Sequence, residues 1–193
     1  MKIVRYPHPA LRWQSKPLTM IDEKVQTYAR QMLELMYESK GLGLAANQVG
    51  LPYQLLVMNP TTEPQEKERE RVLINPVILE RRGSVEGEEG CLSFPGLYQK
   101  VRRAKTIKVQ AYNLRGECVE IVPTEALESR VLQHEIDHLN GVLFIDKMGA
   151  LAKFASRGSL QDLEREYRRA QERGEIASDP QLTQELNELE VLA

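Results

Sequence analysis

The sequence Gln133-His134-Glu135-Ile136-Asp137-His138 sits in a segment with helical periodicity, and its reading decides how the rest of the chain is arranged. Two histidines four residues apart leave the same face of a helix one turn from each other, close enough to share a metal ion. The Glu beside the first can reach the water such an ion would hold, which is the H-E-x-x-H arrangement of metal-dependent hydrolases. Further out, Leu127, Val131, His134 and His138 follow at steps of four, three and four, so the histidines prolong an apolar stripe. Thr124, after Pro123, is the expected N-cap and Gly141 the stop. Val142-Leu143-Phe144-Ile145 then reads as a last strand.

Upstream, Val25, Tyr28, Ala29, Met32, Leu35 and Met36 recur at three- and four-residue intervals, predicting an amphipathic helix from Asp22, its N-cap, to about Ser39. The following Gly41-Leu42-Gly43-Leu44-Ala45-Ala46-Asn47-Gln48 superficially fits a dinucleotide fingerprint. That fingerprint needs a strand before it and a helix after it. Here a helix precedes and Gly50-Leu51-Pro52 interrupts, so the stretch reads as a tight small-residue loop that lets backbone approach a ligand, with Gln48 offering an amide.

Leu55–Met58 and Val72–Asn75 read as paired strands, Asn59 to Arg71 as a charged solvated loop between them, and 77–82 as another strand beyond a bend at Pro76. Residues 106–112 alternate at period two and form a hairpin with 117–122, on which Cys118 reads as structural. The stretch Gly83 to Gly96 is rich in glycine and acid, and Cys91 within it reads on its own as a small buried residue. After Lys147 the composition shifts. Leu160, Leu163, Tyr167 and Ala170 predict a helix over 159–173, and Asp179-Pro180 begins a second with Leu182, Leu186 and Leu189 behind it. These helices could pack on the domain, on another subunit or on a partner.

A chain of 193 residues with 41% hydrophobic and 28% charged residues buries one substantial core, which excludes disorder throughout. A net charge of −2 gives no polyanion signal and no expectation of DNA binding. Neither a secretory signal in Met1 to Pro9 nor a membrane span is expected, and the two cysteines fit a reducing compartment, so the expected location is the cytoplasm.

A catalytic zinc-type centre usually has three protein ligands and an open position. The candidates for the third are Cys91, His8 and a carboxylate further along the helix, and no histidine follows His138. His8 reads as a polar residue on an irregular N-terminal arm. Cys91, in its glycine-flanked turn, is the best choice.

With these residues in place, the chain resembles the peptide deformylases. Gly41 to Gln48 matches the family's G-x-G-x-A-A-x-Q, Glu89-Gly90-Cys91-Leu92-Ser93 its E-G-C-L-S, and His134 to His138 its H-E-x-D-H, in the family's order; the similarity runs from about Ile3 to Ile145. The resemblance implies an α+β fold: small antiparallel or mixed β-sheets around the central motif-bearing helix, an N-terminal helix and a C-terminal helical tail. It implies one catalytic domain over 1–150 and an extension over 151–193.

It implies further that Cys91, His134 and His138 hold one divalent metal ion, Fe(II) in the cell with Zn, Ni or Co as other occupants. Water activated by the ion would attack the formyl carbon of an N-formylmethionyl nascent peptide, with Glu135 as general base and then acid. Gln48 and the Leu92 N–H would stabilise the oxyanion. Leu42, Leu127 and Val131 would line the methionine pocket, and backbone at Leu42, Gly43 and Gly90 would pair with the extended peptide. Arg103 is a candidate partner for Asp137. Work on nascent chains implies a transient ribosome contact, to which the mixed charge of the tail gives little support. Two alternatives compete: a peptidase of the H-E-x-x-H kind, and a binding protein with a structural Cys-His-His metal. Oligomeric state stays open.

Overall fold

Along strand β2, Leu55–Met58, every residue is fully buried, so alternate side chains enter two different cores. Leu55 and Val57 face Met32 and Met36 of helix α1, Glu23–Glu38, while Leu56 and Met58 face Val131, Leu132 and Ile136 of helix α2, Ala126–Leu139. The sheet is thus a layer between two helices. A continuous apolar run, bounded by turns, is what a strand buried on both faces requires. α1 starts where Asp22 caps it, accepting the Val25 N–H at 2.9 Å.

The computed structural model describes residues 1–191. After α1 come β1, Gly43–Ala45; β2; β3, Arg71–Arg82; β4, Val85–Cys91; β5, Phe94–Arg103; β6, Thr106–Tyr112; and β7, Cys118–Ile121. One antiparallel sheet has the order β1-β2-β3-β6-β7, and β4 and β5 form a separate two-stranded sheet. Helix α2 follows, then α3, Ala150–Glu172, and α4, Asp179–Glu190. This is the α+β architecture expected, with N-terminal and C-terminal helices and all strand pairs antiparallel.

Several local expectations change. Residues 72–75 and 77–82 belong to one strand, interrupted where Asn75 takes a positive φ of 51° before Pro76 and the register shifts. The glycine- and acid-rich stretch forms β4, half of a hairpin in which Glu86 and Glu88 are exposed while Glu89 is buried. Residues 142–145 are not a strand: Phe144–Lys147 is a 3₁₀ turn, fixed by Asp146, whose Oδ2 accepts the Leu143 N–H at 2.8 Å. Its apolar residues Leu143, Phe144 and Ile145 join a third core with Phe94, Leu97, Val101 and Leu163. The N-cap of α2 is Glu125 rather than Thr124, and Cys118 is exposed at the start of β7.

The C-terminal helices pack on their own domain. Tyr53 donates to the Leu189 carbonyl at 2.8 Å, Trp13 Nε1 to Glu190 at 3.2 Å, and Tyr6 to Glu164 at 2.9 Å. α3 extends nine residues further towards the N-terminus than its periodicity indicated, where Ala152 packs against the third core and Ser156 accepts from Gln99 of β5. The N-terminal arm seals this contact. His8 is buried; its Nδ1 accepts the Ala10 N–H at 3.1 Å and its ring meets the Tyr167 ring edge-on.

Burial pulls the His8 imidazole down to about 4. The unfolded chain therefore takes up this proton first as pH falls, so the His8 contribution is complete above about 6.5 and is lost towards 4. Between pH 7 and pH 5 the wild type should lose up to about 2 kcal/mol more unfolding free energy than His8→Asn, which keeps a capping acceptor but cannot titrate. Urea unfolding at the two pH values measures this, and equal losses would contradict it.

Candidate active site

α2 presents His134 and His138 one turn apart, and the β4–β5 hairpin brings Cys91 to them. His134 Nε2 and His138 Nε2 are 3.2 Å apart, and Cys91 Sγ is 3.3 Å from His138 Nε2. All the donor atoms of this trio lie within 4.8 Å of one another. Edges of a tetrahedron built with ordinary metal–nitrogen and metal–sulfur bonds are ~3.4 and ~3.6 Å, so the donors fit one ion of the borderline-soft kind. His8, the other candidate histidine, caps the N-terminal 3₁₀ turn instead.

The surroundings fix these donors. His134 Nδ1 lies 3.1 Å from Glu89 Oε2, so with Nδ1 donating, Nε2 is left as the lone pair aimed into the cluster. Glu89 also accepts from Arg103 Nε and Nη2 at 2.8 Å each and from Arg130 Nη1 at 2.6 Å. Burial alone would push the Glu89 carboxyl up, but its bonds from Arg103 and His134 outweigh that and hold it well below the usual carboxylate range. Arg103 reaches on to Asp137, the partner expected from sequence, and Lys147 stands 3.5 Å from the same carboxylate. At the other end of the motif, Asn47 Nδ2 donates to the His138 carbonyl.

Burial opposes the His134 imidazolium, yet the Cys91 sulfur and the Glu89 carboxylate prevail and raise it to about 10. His138 goes the other way, held down by burial and by His134. Cation uptake by this donor set therefore displaces protons.

Glu135 is buried 4% exposed, and its Oε2 has no hydrogen-bond partner among the described residues. It lies against Gly43: a Cβ there would stand 2.7 Å from Glu135 Oε1. Burial raises the Glu135 carboxyl to about 7. Gln48 sits in the 3₁₀ turn Ala46–Val49 after β1, where its Oε1 accepts the Ala45 N–H at 2.8 Å. Its Nε2 then points at Cys91 Sγ and Ser93 Oγ, both 3.4 Å away.

These groups border a cleft of about 480 Å³ that also takes in Leu42, Gly43, Gly90, Leu92, Leu127 and Val131, so every residue expected to act in catalysis, substrate binding or metal binding except His138 lies on its walls. β1 and β4 are the outer strands of their sheets, each with one unpaired edge. Sequence reasoning missed Arg130 and Lys40 in the lining, and it gave Glu89 no part. Arg130 was discoverable: it stands three residues after Leu127 and four before His134, on the ligand face, but a charge there does not register in an apolar stripe.

A sulfur–imidazole donor set that could hold a metal ion, a buried carboxylate beside it and a cleft bordered by two strands are the parts a metallohydrolase needs. The comparisons make this specific. A sequence model described as polypeptide deformylase matches residues 1–154, and the chain belongs to that family. The peptide deformylase of Rhodopirellula baltica is 40% identical over 192 residues, covering 100% of this chain and 94% of its own. The crystal structure of Arabidopsis thaliana peptide deformylase 1B with an inhibitor superposes with a TM-score of 0.84 at 41% identity, covering 91% of this chain and 95% of that one. The Plasmodium falciparum enzyme gives 0.83 at 42% identity, covering 86% and 97%. The chain is a metal-dependent hydrolase of protein biosynthesis that removes the formyl group from nascent peptides.

Replacing Arg103 by Met leaves the buried Glu89 and the half-buried Asp137 short of a partner, and should lower the unfolding free energy by about 3–5 kcal/mol. Adding Asp137→Asn should restore only part of this, because Glu89 remains. Urea unfolding of the single and double variants tests both statements; a loss under about 1 kcal/mol would show the network to be dispensable.

Proposed function

We propose that Cys91, His134 and His138 hold the ion and that Glu135 carries the proton in deformylation. The observation that supports this most is the buried Glu135 carboxylate, with Oε2 unpartnered among the described residues, next to the donor cluster and on the cleft wall. When bound, the divalent ion supplies Lewis acidity, lowering the pKa of water and polarising the formyl oxygen. Glu135, raised to about 7, takes a proton from the attacking water and returns it to the amine nitrogen as the C–N bond breaks. Formate and a free amino terminus leave.

Gln48 Nε2 and the Leu92 backbone N–H donate to the oxygen that gains charge on the formyl carbon, and Gln48 is preset for this by its bond to Ala45. Leu42, Leu127 and Val131 receive the methionine side chain. Backbone at Leu42, Gly43 and Gly90 pairs with the peptide, for which the free edges of β1 and β4 are suited.

Fe(II) in the cell, with Zn, Ni or Co able to replace it, is the occupant carried over from the family, and the donor set suits all four. In this reading residues 1–150 are the catalytic unit, and the extension over 151–193, of which 192–193 lie outside the described residues, braces it with its residues 151–191 through Tyr6, Trp13 and Tyr53. A cytoplasmic location is consistent with the finding that no helix among the described residues is long and apolar enough to cross a membrane. A transient ribosome contact would fall on the outward side of α3, where Leu151 and Phe154 are exposed.

Anaerobic enzyme should release formate from formyl-Met-Ala-Ser without cutting internal bonds. Glu135→Gln should lower kcat by roughly 10²–10⁴-fold while retaining a full metal equivalent. Formate assay and metal analysis of the same samples decide: activity retained in the variant removes Glu135 from the mechanism, and internal cleavage would assign the site to a peptidase.

A further inference from the structure

On α2, Leu127, Arg130, Val131 and His134 share one face at steps of three, one and three, and all four line the cleft. Three of them have a part in binding side chain or ion. Arg130 does not, and a charged residue, 9% exposed, in the wall that receives an apolar side chain needs an account.

Its guanidinium is held from several sides. Nη1 donates to Glu89 Oε1 at 2.6 Å and to the Val101 carbonyl of β5 at 2.9 Å, and Nη2 donates to the Val85 carbonyl of β4 at 3.1 Å. It lies flat under β4 at Gly87, where a Cβ would stand 2.8 Å from Nη2, 2.9 Å from Cζ and 3.0 Å from Nε. The absence of a side chain at 87 is therefore what admits the arginine. A guanidinium has five N–H donors; three are engaged here, and neither Nε nor the second Nη2 hydrogen has a partner among the described residues. The positive charge is balanced by Glu89, which keeps its two bonds from Arg103 whatever happens at Arg130.

We propose that Arg130 is a specificity residue, the polar part of the first side-chain pocket, which favours a side chain carrying a lone-pair atom near its end, a thioether above all, over an aliphatic isostere. A thioether sulfur is a weak acceptor and polarisable. An alkyl chain of the same length covers the guanidinium, takes water from its free N–H groups and gives nothing back. Because two strand carbonyls and Gly87 hold the guanidinium in place, it cannot swing out to escape that cost. This inference rests on reading Leu127 and Val131 as the methionine pocket.

The test compares kcat/KM of the metal-loaded enzyme on formyl-Met-Ala-Ser, formyl-norleucine-Ala-Ser and formyl-Ala-Ala-Ser, for the wild type, Arg130→Met, Gly87→Ala and Val131→Phe. The wild type should prefer methionine to norleucine by roughly two- to tenfold, the worth of one net hydrogen bond. Arg130→Met should bring that ratio close to one, and Gly87→Ala, which displaces the guanidinium with Arg130 still present, should lower it too. Val131→Phe tests the pocket itself: it should depress the methionine and norleucine peptides together relative to the alanine peptide. If Val131→Phe has no such effect, the pocket reading fails. If it does, but Arg130→Met and Gly87→Ala leave the methionine-to-norleucine ratio at its wild-type value, whatever happens to the absolute rates, Arg130 is a structural tie only and the proposal is overturned.

Discussion

The Glu89 carboxylate is the point on which the site depends. It lies inside the protein and accepts from Arg103, Arg130 and the His134 ring, so it ties β4 to β5 and to α2 through one pair of oxygens. In a low-dielectric interior no alternative set of partners is at hand, and a shift of hairpin against helix strands charge. Such a network adds little net stability compared with apolar packing of equal volume, but it does define position. Cys91 stands two residues beyond Glu89 on the same strand. Fixing Glu89 against His134 thereby fixes the sulfur against both imidazoles.

The layered sheet supplies the other half of that geometry. Because β2 is buried on both faces, α2 cannot tilt without opening the core formed by Leu56, Met58, Leu132 and Ile136. β1 runs beside β2 with Gly43 opposite Met58, so the edge that borders the cleft is registered to the same core. The C-terminal helices act from farther away. They hold the N-terminal arm, and the arm's Val4 and Tyr6 N–H groups bond the Gln48 and Ser93 carbonyls at 2.8 and 3.0 Å. The tail is thus mechanically continuous with the loops that carry Gln48 and Leu92.

What could be read from the sequence were the features that follow from periodicity within one element. Histidines four apart, the stripe of α1, the doubly buried β2 and the alternating β6 each declare themselves through local spacing, and the three signature blocks placed Cys91, Gln48 and Leu92 near the histidines. The hairpin of β4 and β5 did not declare itself, since its glycines and acids resemble a loop, and what anchors it is Glu89 of β4 pairing with Arg103 of β5 and with Arg130 of α2. Residues 142–145 misled for the converse reason: four apolar residues in a row resemble a strand, but Asp146 folds them back and the third core takes them in a turn. Arg130 and Glu89 were invisible as partners because their meaning is a tertiary pairing across 41 residues.

Two glycines show how closely the helix and the strands had to approach. Gly43 of β1 leaves space that the Glu135 carboxylate occupies, and Gly87 of β4 leaves space that the Arg130 guanidinium occupies. On α2 these side chains are five residues apart, so they leave the helix on different sides and reach different sheets. Glu135 meets the five-stranded sheet and Arg130 the hairpin, with the cleft between. Long polar side chains buried against flat glycine backbone need no cavity of their own, which lets α2 sit close to both strand edges at once. In the proposed reading, an extended peptide entering between those edges meets backbone on its flanks, a carboxylate near its first amide and a guanidinium near its first side chain. On that reading, the same pairs of small and long residues that close the packing also divide the cleft into a chemical end and a selective end.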